Sequence, residues 1–91
     1  MVVEISEKAQ KDLIAIYLYT KTNWSKKQGR NYLFGLERTF KTISKNPNLG
    51  MSINDIISNT RKLRFESHLV VYQIEEKSIK IDRILHKNQL P

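Results

Sequence analysis

The stretch Arg61–His86 constrains the fold more than any other part of the chain. It contains two runs that are rich in β-branched and aromatic residues, separated by the polar segment Glu75–Ser78. Residues of these types fit the pleated surface of a β-sheet. We therefore predict consecutive antiparallel strands in this stretch, and the preceding residues must supply the cover for the sheet.

The alternation of side chains over residues 68–74 assigns the two faces of the strand at the centre of this stretch. Successive side chains on a strand point to opposite faces. Apolar residues occur on both faces here, which is typical of a central strand with little water on either side. One face carries His68, Val70, Tyr72 and Ile74, and the other carries Leu69, Val71 and Gln73.

Two helices are predicted before the sheet. Ser6 is a suitable N-cap for a first helix over residues 7 to about 22. Ser25, with Gln28 three residues later, has the spacing of a capping box and predicts a second helix over residues 26 to about 45. The connection between the helices is short, so we expect an antiparallel hairpin.

Apolar residues at helical spacing predict the buried stripe of each helix. Gly29 falls on the second stripe and predicts a close approach of the two helices. Trp24 precedes the second N-cap, where an apolar side chain can staple the start of the helix. The stripes comprise Ala9, Leu13, Ile16 and Tyr17 in the first helix, and Tyr32, Leu33, Leu36, Phe40 and Ile43 in the second.

The remaining segments complete a predicted α+β architecture in one domain, residues 1–91. Val2–Ile5 favours an edge strand, and the pair Asn46-Pro47 ends the second helix. In the connector 50–59, Ile53, Ile56 and Ile57 form either a turn of helix or a short packed loop. The order is thus an N-terminal strand, an antiparallel helical hairpin and an antiparallel β-meander of about three strands, in two layers.

The charge of the chain predicts an acidic partner. There are 16 Lys and Arg against 9 Asp and Glu, which gives a formal net charge of +7. Such an excess favours nucleic acid or an acidic protein as partner. Two clusters of positive residues are each uninterrupted by an acidic residue. They are Lys21, Lys26, Lys27 and Arg30, and then Arg61, Lys62 and Arg64.

Composition also limits the other function classes. The chain has no cysteine and two histidines, so we expect neither a disulfide framework nor a metal or cofactor site. No basic leader and no apolar run of about 20 residues is present, so we expect a cytoplasmic protein without a membrane span. Nothing indicates a small-molecule substrate.

Several short patterns, taken in order, carry a family resemblance. They comprise Ala9, Asp12, Leu13, Ile16 and Tyr17, then Trp24, then Tyr32, Leu36 and Phe40, then Asn46, Pro47 and Gly50, then Arg61 with Ser67–Tyr72, and finally Ile79–His86. This ordered set covers nearly the whole chain and resembles the ParE/RelE superfamily of small bacterial toxins. The closing sequence Arg83-Ile84-Leu85-His86 is similar to the ParE branch, whose members are also described as plasmid-stabilisation proteins.

The resemblance implies the toxin of a type II toxin–antitoxin pair. Its partner would be a small acidic antitoxin of the ParD-like kind, bound in a hetero-oligomer. In the ParE branch the implied target is DNA gyrase, trapped while its DNA is cleaved. In the RelE branch the implied action is ribosome-dependent cleavage of messenger RNA, and a third interpretation is a non-toxic module that binds an antitoxin.

A gyrase inhibitor needs no catalytic residue but needs a surface that binds a protein–DNA complex. Positive side chains near the final strands would contact phosphates or carboxylates there. Leu90 and Pro91 would add an apolar tip to the C-terminal tail. The predicted target-binding residues are Arg61, Lys62, Arg64, Arg83 and Lys87, with pairing to a nearby acid as the alternative role for Arg83.

The ribonuclease alternative needs a base for the 2′-hydroxyl proton, an acid for the leaving oxygen and cations for the phosphate. Arg64, Arg83 and His86 are its candidate catalytic residues, and it would be metal-independent. His68 and Tyr72 are expected to be hydrogen-bonded core residues instead. The chain lacks the aromatic or His-Tyr ending of ribonuclease members, so we favour inhibition without catalysis.

An antitoxin would bind across the helices and the sheet edge. Ile14, Leu18 and Phe34 lie off the predicted core stripes and are therefore the predicted antitoxin-binding residues.

Overall fold

Helices and strands follow one another in the predicted order. The computed structural model describes residues 1–53 and 59–89. It contains β1 (Val2–Ile5), α1 (Glu7–Asn23), α2 (Lys26–Lys45), a short 3-10 helix (Pro47–Leu49), β2 (Met51–Ser52), β3 (Thr60–Phe65), β4 (His68–Ile74) and β5 (Ser78–His86). The α+β prediction is confirmed.

All five strands join one sheet in the order β1-β5-β4-β3-β2. The strands β3, β4 and β5 form the predicted antiparallel meander, and β1 is an edge strand that runs parallel to β5. The sequence did not predict β2, because two residues are too few to show alternation. Met51 and Ser52 pair with Lys62 and Arg61 of β3.

Both predicted helix caps are present. The Oγ of Ser6 accepts a hydrogen bond from the backbone N–H of Ala9 at 3.0 Å, and the Oγ of Ser25 accepts one from Gln28 at 3.1 Å. Each bond satisfies a backbone donor that the first turn leaves unpaired.

The two helices approach each other closely at Gly29, as predicted. A Cβ atom at this position would lie 3.1 Å from the ring of Tyr17, so a glycine allows α1 and α2 to approach. The predicted staple by Trp24 is wrong. Its side chain is 62% exposed, and the position it would pack against in α2 is Gly29, which has no side chain.

The core lies between the hairpin and one face of the sheet. It includes Ala9 and Ile16 of α1, Leu36, Phe40 and Ile43 of α2, and Val70, Tyr72, Ile79, Ile81 and Ile84 of the sheet. The expectation of little water on both faces of β4 is wrong for the second face. Leu69, Val71 and Gln73 are only partly buried there, because both helices pack on the Val70 face.

A register shift in β5 places its isoleucines on the core face. Val71 pairs with Arg83 while Tyr72 pairs with Ile81, so Asp82 is an extra residue in β5. One extra residue reverses the alternation of the side chains that follow it. Ile81 and Ile84, three residues apart, are therefore both buried.

The buried Tyr72 hydroxyl holds the segment that follows α2. It donates to the carbonyl of Pro47 at 2.7 Å and accepts from the N–H of Gly50 at 2.8 Å. A Cβ on Gly50 would lie 2.5 Å from this hydroxyl oxygen, so only glycine fits. Tyr72 is thus the hydrogen-bonded core residue that the sequence predicted.

The connector after Gly50 differs from the prediction. Met51 and Ser52 form β2, and Ile53 is 43% exposed rather than packed in a turn or loop. Ile56 and Ile57 lie outside the described residues. Neither helix within residues 1–53 is long and apolar enough to cross a membrane.

Candidate functional site

The sheet face opposite the helices, which we call the open face, combines positive and apolar side chains. Pairing in register places Lys62 beside Val71, and Arg64 beside Leu69, which in turn pairs with Leu85. The three apolar residues are only partly buried. Lys62 and Arg64, both predicted target-binding residues, therefore flank an accessible apolar stripe.

Arg61 lies on the other face of β3. It pairs with Tyr72, which faces the core, and its Nη1 donates to the carbonyl of Gly50 at 2.6 Å. Its Nε is buried without a hydrogen-bond partner among the described residues. Arg61 therefore holds the segment after α2, and its side chain does not share the open face with Lys62 and Arg64.

Arg83 is held by Asp12 of α1, at the edge of β5 beyond the last residue of β1. The Arg83 Nε and Nη2 donate to the two carboxylate oxygens at 2.8 and 3.0 Å. The same carboxylate accepts the backbone N–H of Ile84 at 2.9 Å. The alternative role predicted for Arg83, pairing with an acid, is confirmed.

These three bonds keep Asp12 ionised. Burial alone would raise the pKa of Asp12, but hydrogen bonds from Arg83 and from the Ile84 N–H, with the positive charge of Arg83, outweigh burial and lower it. The arrangement fixes the Arg83 guanidinium, whose side chain remains 40% exposed.

The last predicted target-binding residue, Lys87, is exposed immediately after β5. Its backbone N–H donates to the carbonyl of Ser67, which ties the end of β5 to the β3–β4 turn. Leu90 and Pro91 lie outside the described residues.

A cleft of about 680 Å³ opens between the tip of the helical hairpin and the β3–β4 turn. We call it the aromatic cleft. His68 and His86 form a cross-strand pair in it, with ring centroids 5.5 Å apart. The residues that define it are Tyr19, Trp24, Tyr32, Phe65, His68 and His86.

Hydrogen bonds engage the Nδ1 atom of both histidines. The Nδ1 of His86 accepts the backbone N–H of Asn88 at 3.2 Å, so the proton of the neutral ring is on Nε2. The Nδ1 of His68 lies 2.6 Å from the Tyr32 hydroxyl, whose oxygen already accepts the N–H of Ser67. When the Tyr32 hydroxyl donates to the Nδ1 of His68, the proton of the neutral His68 ring is likewise on Nε2.

The neutral form of His68 is also favoured by its surroundings. Burial lowers the pKa of His68, and the nearby His86 lowers it further, while Asp12 acts in the opposite direction. With Nδ1 engaged in both rings, Nε2 is the ring nitrogen left for a ligand. The hydrogen bond predicted for His68 is confirmed, whereas its predicted place in the core is wrong, because its ring is partly exposed to the cleft.

The predicted antitoxin-binding residues are accessible. Ile14, Leu18 and Phe34 are 61%, 52% and 53% exposed on the hairpin. Ile14 and Leu18 lie one turn apart on α1 and Phe34 lies on α2, and grouped exposed apolar side chains such as Ile14 and Leu18 are typical of a protein-binding surface. Within residues 1–53 and 59–89, no three His, Asp or Glu side chains are grouped so as to hold a metal ion.

Comparison with known proteins assigns this chain to a protein family. The family model of the ParE toxin of the type II toxin–antitoxin system parDE matches residues 3–91. This chain belongs to the ParE toxin family. Toxin ParE1 of Caulobacter vibrioides is 27% identical over 84 residues, which cover 92% of this chain and 86% of that protein.

Solved structures share the ParE-family fold. A chain of the chromosomal ParDE TA system from P. aeruginosa has a TM-score of 0.80 at 22% identity, with 94% of this chain and 95% of that chain covered. A chain of the heterotetrameric YoeB-YefM toxin–antitoxin complex from Staphylococcus aureus has a TM-score of 0.65 at 18% identity, with the same coverage. At these identities the likeness establishes the fold.

The residues named for the ribonuclease alternative are not brought together in this ParE-family chain. Arg64 pairs with Leu69 on the open face, whereas His86 pairs with His68 on the core face, and the Arg83 guanidinium is held by Asp12 at the edge of β5. Metal-free cleavage requires an acid, a base and cations around one phosphate. Arg64 and His86 lie on opposite faces of the sheet.

The sequence did not identify Asp12 or Tyr32 as site residues. Tyr32 falls on the apolar stripe of α2, where a tyrosine is most simply interpreted as core. Asp12 has a detectable signal, since it is the one acid between Glu7 and Glu37. Its partner in β5 is 71 residues away, and no local spacing reveals that distance.

Replacing Asp12 with Asn is expected to lower the free energy of unfolding by about 1.5–3 kcal/mol at pH 7, the range for a hydrogen bond to a charged group. The depressed pKa makes this contribution fully present above the unfolded pKa of about 3.9. It is lost as the pH falls through the folded pKa. Urea denaturation from pH 7 to pH 3 should therefore show the two proteins converging in acid.

Glu7→Gln is the matched control for Asp12→Asn, because Glu7 is an exposed acid of the same helix that pairs with Lys11 at 3.7 Å. Exposed pairs of this kind contribute about 0–1 kcal/mol. Equal losses in the two variants, or a loss in Asp12→Asn that does not change with pH, would contradict the assigned role of Asp12.

Proposed function

We propose that this ParE-family toxin inhibits DNA gyrase and is neutralised by a small acidic antitoxin bound in a hetero-oligomer. The observation that carries the proposal is the match to the ParE toxin family over residues 3–91. The resemblance to that branch implies gyrase as the target. The net charge of +7 suits both a protein–DNA target and an acidic partner.

The open face supports binding rather than catalysis. Lys62 and Arg64 flank a partly exposed apolar stripe, the combination that a protein–DNA complex can contact through its phosphates and its protein surface. Inhibition requires no acid–base pair, and the separation of Arg64 from His86 across the sheet favours it over RNA cleavage.

The exposed apolar residues of the hairpin support an antitoxin site. An amphipathic segment can bury its apolar side against Ile14, Leu18 and Phe34. Acidic residues on such a segment would be attracted by the positive charge of the toxin, which raises the rate of association more than the affinity. The related structures described as ParDE and YoeB-YefM systems each include an antitoxin.

Purified protein incubated with gyrase and supercoiled plasmid is expected to increase the amount of protease-released cleaved DNA. The double variant Lys62→Glu/Arg64→Glu should need a roughly tenfold or higher concentration for the same effect, because it places like charges against the target. The readout is linear plasmid on an agarose gel.

The matched control for the gyrase assay is Lys41→Glu/Lys45→Glu, which makes the same change of charge at two exposed positions of α2. It should act like the wild type. No increase in cleaved DNA with the wild type would refute gyrase as target. Equal losses in both double variants would refute the open face as the contact surface.

Ile14→Lys/Leu18→Lys is expected to weaken binding to the adjacently encoded acidic antitoxin at least roughly 30-fold, the size of one interface hot spot. The affinity can be measured by calorimetry on separately purified partners. Met51→Lys is the control, since Met51 is an exposed apolar residue of β2 and not of the hairpin. An unchanged affinity in the helix variant, or an equal loss in the control, would place the antitoxin elsewhere.

A further inference from the structure

The tip of the helical hairpin exposes an aromatic pair. Tyr19 and Trp24 are 63% and 62% exposed, and their ring centroids lie 6.0 Å apart at a tilt of 59°. Both rings line the aromatic cleft. Neither the core nor the helix caps use these side chains, so they are free to stack on a planar ligand.

Four cations follow Tyr19 in sequence, on both sides of Trp24. Lys21, Lys26, Lys27 and Arg30 are all exposed, and no acid lies between the first and the last. Lys26 and Lys27 begin α2, whose first turn contains no acid. The helix dipole disfavours positive side chains at that end. The arrangement therefore costs helix stability and is suited to holding an anion nearby.

The floor of the cleft supplies neutral donors. The hydrogen bonds of His68 and His86 leave an Nε2–H on each ring, and the rings lie 5.5 Å apart. Among the described residues that line the cleft, the formally charged ones are Arg38 and Glu66. Neutral imidazole N–H groups are suited to the carbonyl oxygens and ring nitrogens of a nucleobase.

From this combination we propose that the aromatic cleft binds single-stranded nucleic acid, with a base stacked on Trp24 and flanking phosphates on the cations of the hairpin tip. Exposed aromatic faces beside a positive surface are the features that bind single strands irrespective of sequence. A duplex does not offer a free base face. An acidic peptide would use the lysines but not the aromatic faces. The proposal does not depend on gyrase as the target.

Trp24 is the only tryptophan of the chain, so its fluorescence reports on the cleft directly. Oligothymidylate and oligouridylate of roughly 10 nucleotides, within the usual site size, should each quench it to saturation. The affinity should fall with salt, with a slope of about −0.7 per phosphate contacted. The DNA and RNA arms separate the two sources of the strand, and quenching by either supports the proposal.

Anisotropy of a labelled oligonucleotide tests the stack itself. Trp24→Ala should bind roughly 5- to 150-fold more weakly, the loss expected for one base–aromatic stack, and Trp24→Phe should recover part of it. Leu49→Ala is the control, since Leu49 is an exposed large apolar residue outside the cleft. It should bind within about twofold of the wild type.

Three results would overturn the proposal. The first is no quenching by either oligonucleotide. The second is an equal loss of affinity in Trp24→Ala and Leu49→Ala, which would indicate that the Trp24 ring has no specific role in binding. The third is saturable quenching by polyglutamate that is stronger than quenching by either oligonucleotide, which would assign the cleft to an acidic peptide.

Discussion

The structure depends on the way in which Asp12 completes the edge of β5. The strand β1 pairs with β5 only as far as Ile81, and the rest of that edge would expose unpaired backbone groups. The hydroxyl of Ser6 donates to the carbonyl of Asp82, and the carboxylate of Asp12 accepts the N–H of Ile84. Side chains of the cap and first turns of α1 thus take the place of a strand.

The packing of the hairpin also determines what the surface presents. Both helices bury their apolar stripes against the Val70 face of the sheet, so Lys62 and Arg64 are left on the other face. The extra residue Asp82 places Ile84 in the core, and His86, two residues later, then falls beside His68 at the cleft. The open face, the exposed apolar residues of the hairpin and the aromatic cleft are therefore different parts of one two-layer arrangement.

The local sequence pattern predicted most of this fold, because capping residues and apolar stripes mark both helices and runs of β-branched and aromatic residues mark the meander. It failed where a feature rests on a single residue or on distant contacts. The strand β2 has only two residues, which are too few to show an alternation of side chains. The extra residue Asp82 interrupts the alternation in β5, and no glycine in the sequence marks this position. The site was predicted less well for the same reason. Charge alone grouped Arg61 with Lys62, although neighbouring residues on a strand face opposite ways.

Amide hydrogen exchange at Ile84, followed by NMR at neutral pH, tests the role of Asp12 at the β5 edge most directly. Slow exchange is predicted in the wild type, with protection at this amide lost in Asp12→Ala. The amide of Ile74, which donates to the carbonyl of Asn59 at 2.9 Å, should remain protected in both proteins. Fast exchange at Ile84 in the wild type, or protection that survives the substitution, would contradict the account.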